Sequence, residues 1–290
     1  MKPPIFDYVV ADSQEHALDV LREHGDDAKV LAGGQSLVPL MSFRLAKPAL
    51  LLDINGLGGL DAIEATGGRM RIGALTRQCE LLTQPLIAEH CPLMRAATEF
   101  IGHPAIRNRG TVGGSVAHAD PAAELPVLLQ ALDAEVEVCS KGSRRTLPAD
   151  DFFLGLLMTG MNPDELLTGI SFAIPERGMG WGFHEVARRH GDFALVAAAA
   201  LVALDDRGEV ASAAVALGGI ADRALRVRAV EGALKGNAPT PEAVESASRL
   251  VAETVTPVGD IHAGEGYRAH LGQVLTKRAI HDAVRRARST

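Results

Sequence analysis

Apolar and polar positions at the start of the chain fall into a helical period. Ser13 stands where a cap belongs, and QEHALDVLREHG (14–25) sets Ala17, Leu18 and Leu21 on one face before Gly25 stops the run. Short apolar stretches follow. AKVL (28–31) and ALLLDI (49–54) predict strands, the second buried. LDAIEATGGRMRIGA (60–74) predicts a hairpin turning at Gly67-Gly68. Thr76 is expected to cap RQCELL, and Pro92 to open a helix through PLMRAATEFI (92–101).

Further on, PAAELPVLLQAL (121–132) predicts a helix, AEVEVC (134–139) and RRTLP (144–148) two short strands, and ELLTGISFAIP (165–175) a strand ending at Pro175. The glycine-dense PERGMGWG (175–182) is the best linker candidate. Beyond it GFHEVA, ALVAAAALVAL and VASAAVALGGI predict three strands, the last two joined by DDRG. Helices follow near 226–235, 241–254 and 264–288. The pattern is an α+β chain of two domains, 1–175 and 176–290, the second a small antiparallel sheet covered by helices. With 290 residues, 47% of them hydrophobic, there is enough apolar material for two cores.

A net charge of −7 without a Lys/Arg cluster argues against nucleic acid. No apolar leader core opens the chain, and the longest apolar run, 194–204, falls short of the roughly 18–20 residues a membrane helix needs. A cytoplasmic protein is expected. Cys79, Cys91 and Cys139 match no zinc or iron–sulfur spacing, so any such centre belongs to a partner. No nucleophile–base set and no paired-carboxylate site stand out.

Two segments carry the candidate chemistry: LAGGQSLVPL (31–40) and TVGGSVAHADP (111–121). Glycine admits φ > 0 and lets another molecule approach the backbone, and successive amides in such a turn form an anion nest. A helix starting there adds free N–H groups and its dipole. Ser36, Ser115 and Thr111 add hydroxyls. Either segment alone reads as a tight turn; together they suggest a diphosphate gripped from two sides, hence a dinucleotide. GxxxxGK[ST] is absent, and the glycines of NGLGGLDAI lack the third member of GxGxxG. Asp120 and Glu124 suit either ribose hydroxyls or the start of the next helix, and His118 lacks neighbours for a metal site. Phe193 suits either core or cofactor.

With AGGQSLVPLM (32–41), IRNRGTVGGSVAHADPAAELP (106–126) and RRHGDFALVAAA (188–199), the chain resembles the flavin-binding medium subunits of molybdenum hydroxylases. That family includes carbon monoxide dehydrogenase, xanthine dehydrogenase and bacterial N-heterocycle dehydrogenases. The resemblance covers essentially the whole length. It implies FAD in a vanillyl-alcohol-oxidase (PCMH) type of domain, built of two α+β subdomains over 1–175. A C-terminal domain of the carbon monoxide dehydrogenase flavoprotein type, 176–290, is implied to cover the flavin.

Carried over by motif, Ala32, Gly33, Gly34, Gln35, Ser36, Leu37, Thr111, Gly114 and Ser115 wrap the diphosphate. Asp120 and Glu124 lie towards ribose and adenine, and Phe193 lies by the isoalloxazine. Leu31, His118 and Leu167 complete the implied cofactor-binding set, with no catalytic residue and no metal ligand. Many members have tyrosine at 193 and asparagine at 115; this chain lacks the tyrosine hydroxyl and keeps a polar contact through serine. The resemblance further implies molybdopterin on a large partner, 2Fe–2S clusters on a small one, a dimer of heterotrimers, and electron relay through FAD to an external acceptor. Membrane insertion is not expected. The alternative is a self-sufficient flavin oxidase of the same fold, which needs a base over the flavin; His190 is the nearest candidate. A non-enzymatic nucleotide-binding protein is the third reading.

Overall fold

Three parallel strands open the chain, with Asp7–Val10 and Ala28–Leu31 flanking Leu50–Asp53. The computed structural model describes residues 2–289. Helix Gln14–His24 makes the first crossover. Ser13 Oγ accepts from the His16 N–H at 3.1 Å, Gly25 ends the helix at φ 51°, and Ala17, Leu18, Val20 and Leu21 form its buried face.

The second sheet is antiparallel, in the order Ile63–Thr66, Arg69–Gly73, Leu166–Ala173, Glu135–Ser140, Ser143–Pro148. Gly67 and Gly68 both have positive φ (60° and 75°), which a two-residue hairpin of native twist requires. Thr76 caps nothing. It is fully buried, and its hydroxyl donates to the Asp61 carbonyl at 3.1 Å, tying the end of the hairpin back on itself. Helix Glu124–Ala131 is buried along its whole length and belongs to the core shared with the third sheet. It starts at Glu124 rather than Pro121, because residues 120–123 form a turn in which Asp120 Oδ1 accepts from the Ala122 N–H at 2.9 Å.

The third sheet runs Gly180–Ala187, Ala194–Leu204, Val210–Gly218, Leu225–Arg226, all antiparallel. Its second strand is alanine-rich because both faces are covered. Ala197 and Ala199 join the first core; Val196, Ala198, Ala200 and Val202 join a second core with the long helix Glu265–Ala287. Within the stretch expected to be a linker, residues 175–179 are outside strand and helix and Gly178 has open space around it, whereas Gly180 and Gly182 are packing positions. A Cβ on Gly180 would lie 1.8 Å from the Ala283 carbonyl oxygen, and one on Gly182 would lie 2.1 Å from that of Ala279, so this helix sits directly on the strand. Helices Arg228–Leu234 and Pro241–Thr254 complete the cover.

The seam between the two halves is tight. Phe100 and Phe183 meet at 5.3 Å between ring centroids, and the Gly219 N–H donates to the Pro121 carbonyl at 2.6 Å. Among the described residues no helix is long and apolar enough to cross a membrane.

Candidate functional site

The two glycine segments touch, backbone to backbone. A Cβ on Gly33 would lie 2.4 Å from the Arg109 carbonyl oxygen and 2.8 Å from Gly110 Cα. Side chains from elsewhere staple them. Arg77 donates to the Arg109 carbonyl and, at 2.9 Å, to Asn55 Oδ1; Asn55 Nδ2 in turn donates to the Ala32 carbonyl at 2.8 Å. Arg77 also forms an isolated bridge with Thr111, and the Gln78 N–H donates to the Gly110 carbonyl at 2.9 Å. A cleft of about 700 Å³ opens along this junction. Residues 32–37, Thr111, Gly114, Ser115, His118, Asp120, Glu124 and Leu167 line it, and Gly191, Asp192 and Phe193 close it from the C-terminal half. Leu31 does not line the cleft. As a strand residue it turns its side chain beneath the loop, where its Cδ1 supports Gly34.

The two segments offer different chemistry. Gly34 turns the chain at φ 71°, and among the described residues the backbone N–H groups of 34–37 make no hydrogen bond. Gln35 folds back to donate to the Gly33 carbonyl at 3.0 Å, and the Ser36 hydroxyl is unengaged. This is a nest of free donors at the start of helix Leu37–Ser42. The second segment is not a nest. Thr111 caps helix Val112–His118, and the N–H groups of 112–115 go to Thr76 O, Ala74 O, Thr111 Oγ1 and Thr111 O. It contributes instead a bare wall, exposed at Gly114, and the free Ser115 hydroxyl. Gly113 is bare for packing, since its Cβ would lie 2.5 Å from that of Ala74.

Carboxyl groups also line the cleft. Glu124 is 6% exposed, and burial, with the Asp120 charge adding, pushes its carboxyl up to about 7. Burial lowers the His118 imidazole, favouring its neutral form. Behind them Glu185, from strand Gly180–Ala187, has an unpartnered buried Oε2; burial and then Glu124 push it up to about 9. Phe193 stands 60% exposed at the mouth. No group of three His, Cys, Asp or Glu that could hold a metal occurs among the described residues.

Residues 4–176 match the family described as FAD binding domain in molybdopterin dehydrogenase, and 181–283 match the CO dehydrogenase flavoprotein C-terminal domain. The 6-hydroxypseudooxynicotine dehydrogenase complex subunit alpha of Paenarthrobacter nicotinovorans is 42% identical over 100% of this chain and 98% of its own. The chain belongs to the FAD-binding medium subunits of the molybdenum hydroxylase family. The caffeine dehydrogenase subunit beta of Pseudomonas sp. is 38% identical over 99% of this medium subunit and 97% of its own length. A chain of the carbon monoxide dehydrogenase of Hydrogenophaga pseudoflava superposes with a TM-score of 0.96 at 37% identity, covering 99% of each chain.

The cleft of this medium subunit suits a dinucleotide. Free amides and hydroxyls face a space that bare glycines keep open, and exposed Lys29 adds a cation to the lining. Asp120 and Glu124 in the lining carry carboxyl oxygens that can accept from hydroxyls. The residues that sequence reading missed are those that assemble the site. Asn55 and Arg77 lie outside both motifs, and their only signal is a polar residue placed where a strand ends. Gly191, at φ 86°, fits against Gly102 and His103, where its Cβ would lie 2.7 Å from the His103 ring.

Proposed function

We propose that this chain binds FAD in the cleft and relays electrons from the 2Fe–2S clusters of a small partner to an external acceptor. A large molybdopterin-bearing partner oxidises the organic substrate, in a cytoplasmic dimer of heterotrimers. Residues 1–175 form the cofactor-binding domain and 176–290 its cover. One observation carries the reading: the cleft combines a diphosphate-type donor nest with an exposed aromatic in its lining.

The 34–37 amides, Ser36 and Ser115 hold the diphosphate, with Ala32, Gly33, Gly114 and Thr111 shaping the walls. Asp120 and Glu124 accept from the ribose hydroxyls, with His118 and Leu167 beside them. Phe193, from the cover, packs against the isoalloxazine. Bound FAD supplies one- and two-electron redox chemistry; the protein supplies position, electrostatics and exclusion of water. Relatives named for 6-hydroxypseudooxynicotine, caffeine and carbon monoxide align with this chain nearly end to end. That constancy supports a role that does not depend on substrate, which a partner selects.

The test is purification of the native complex followed by mass spectrometry and a visible spectrum. Large and small partners should co-purify, with flavin and iron–sulfur bands, and the flavin should bleach when the partner's substrate is added. A lone chain that turns over a substrate by itself would refute the relay.

A further inference from the structure

Gln78 is 5% exposed and lines the cleft, yet its side-chain amide makes no hydrogen bond, and its Oε1 is buried without a partner. Buried side-chain amides in native proteins are almost always paired, so an unpaired one lining a cleft marks a missing partner. Its backbone is pinned on both sides: its N–H donates to the Gly110 carbonyl at 2.9 Å, and its carbonyl accepts from the Leu81 N–H at 3.2 Å. The side chain lies against Gly110, where a Cβ would sit 2.4 Å from Oε1. Gly110 in turn lies against Gly33, whose own Cβ would sit 2.8 Å from Gly110 Cα. Gly33, Gly110 and Gln78 therefore form one stack where the two segments meet, beside the free amides of 34–37.

We propose that Gln78 is a further cofactor-contacting residue, whose side-chain amide donates to the diphosphate at the junction of the two glycine segments. This rests on the FAD reading above. A diphosphate has only acceptor oxygens, so it takes the NH₂ end of the amide. The carbonyl end then stays against Gly110, where a Cβ would sit 2.4 Å from Oε1. The Arg77 guanidinium nearby is engaged in the fold, since it bonds Asn55 and the Arg109 carbonyl.

The 290-residue chain, stripped of cofactor, is titrated with FAD by fluorescence as parent, Gln78→Leu and Gln78→Glu, and each apo-protein is melted. Losing one donor to a charged ligand predicts about tenfold to hundredfold weaker FAD binding for Gln78→Leu. Gln78→Glu, which replaces the donor by a like charge, should bind more weakly still and recover partly with added salt. The apo-proteins should melt together. Parent-like affinity in both variants overturns the proposal. So does a Gln78→Glu protein that binds as well as the parent, since the amide then serves as an acceptor, and so does a loss of affinity that only follows a loss of apo-protein stability. A parent chain that takes up no FAD sinks the functional reading instead.

Discussion

Replacing Gly33 by alanine tests whether the two segments form one rigid cradle. The new methyl would stand 2.4 Å from the Arg109 carbonyl oxygen, against 3.4 Å for ordinary contact, so about 1 Å of separation is required. The obstructing atoms are backbone, held by the Arg77 guanidinium and by the Ile106–Gly110 turn, and no flexible side chain is there to swing away. Overpacking of this kind costs about 1–3 kcal/mol. At about 2–4 °C per kcal/mol for a chain of this size, the apo-protein should melt roughly 2–12 °C lower. FAD affinity should fall with it, because the amides of 34–37 are carried away from the opposite wall. Gly114→Ala is the control. Its closest neighbour is a side-chain atom, Thr111 Oγ1 at 2.7 Å, and Gly114 is exposed to the cleft, so binding should suffer more than melting. Scanning calorimetry with FAD titration reads both. A Gly33→Ala protein that melts and binds like the parent would refute the contact between the segments, and the shared cradle with it.

Phe193→Ala should change flavin reduction or acceptor turnover in the complex while leaving FAD retention nearly intact; unchanged stopped-flow kinetics would make Phe193 an ordinary surface residue. Gly182→Ala places a methyl 2.1 Å from the Ala279 carbonyl and should lift helix Glu265–Ala287 off its sheet, at a cost of about 1–3 kcal/mol in urea melts. Glu185, raised from 4.5 to about 9, favours its protonated form in the fold. Its contribution to stability is therefore complete below its unfolded pKa and declines as pH rises towards 9. Glu185→Gln, which stays neutral, should gain on the parent by up to about 1.4 kcal/mol for each pH unit in that window. A gap between the two urea midpoints that does not vary with pH would show that Glu185 is not protonated in the fold.

Local patterns carried most of the fold. The Ser13 cap, the Gly67-Gly68 hairpin and the three strands of the second half are short-range features, and periodicity and turn chemistry report such features directly. What stayed hidden has one cause. Glycines at 180 and 182 end the stretch read as a linker, and nothing local shows that a helix about a hundred residues away must touch them. Thr76 likewise bonds a carbonyl across the hairpin rather than capping the residues that follow it. For the site, the fold brings the two glycine motifs to one cleft, but their different chemistry was not legible in them. The second segment's amides are taken by Thr76, Ala74 and Thr111, and those partners lie largely outside the motif. Asn55, Arg77 and Gln78 carry no motif at all, since their work is to fix or complete a junction that exists only in the folded chain.

The Asn55–Arg77 link sets the spacing of the cradle from outside it. On the proposed function, affinity for the cofactor then rests partly on two side chains assigned no contact with it. A substitution at either position would be scored in a screen as a binding defect, although the lesion is in the clamp and every assigned ligand-facing atom is still present. Drift at position 55 is tolerable only alongside a change at 77 that keeps the span, so the two positions should vary as a pair or not at all.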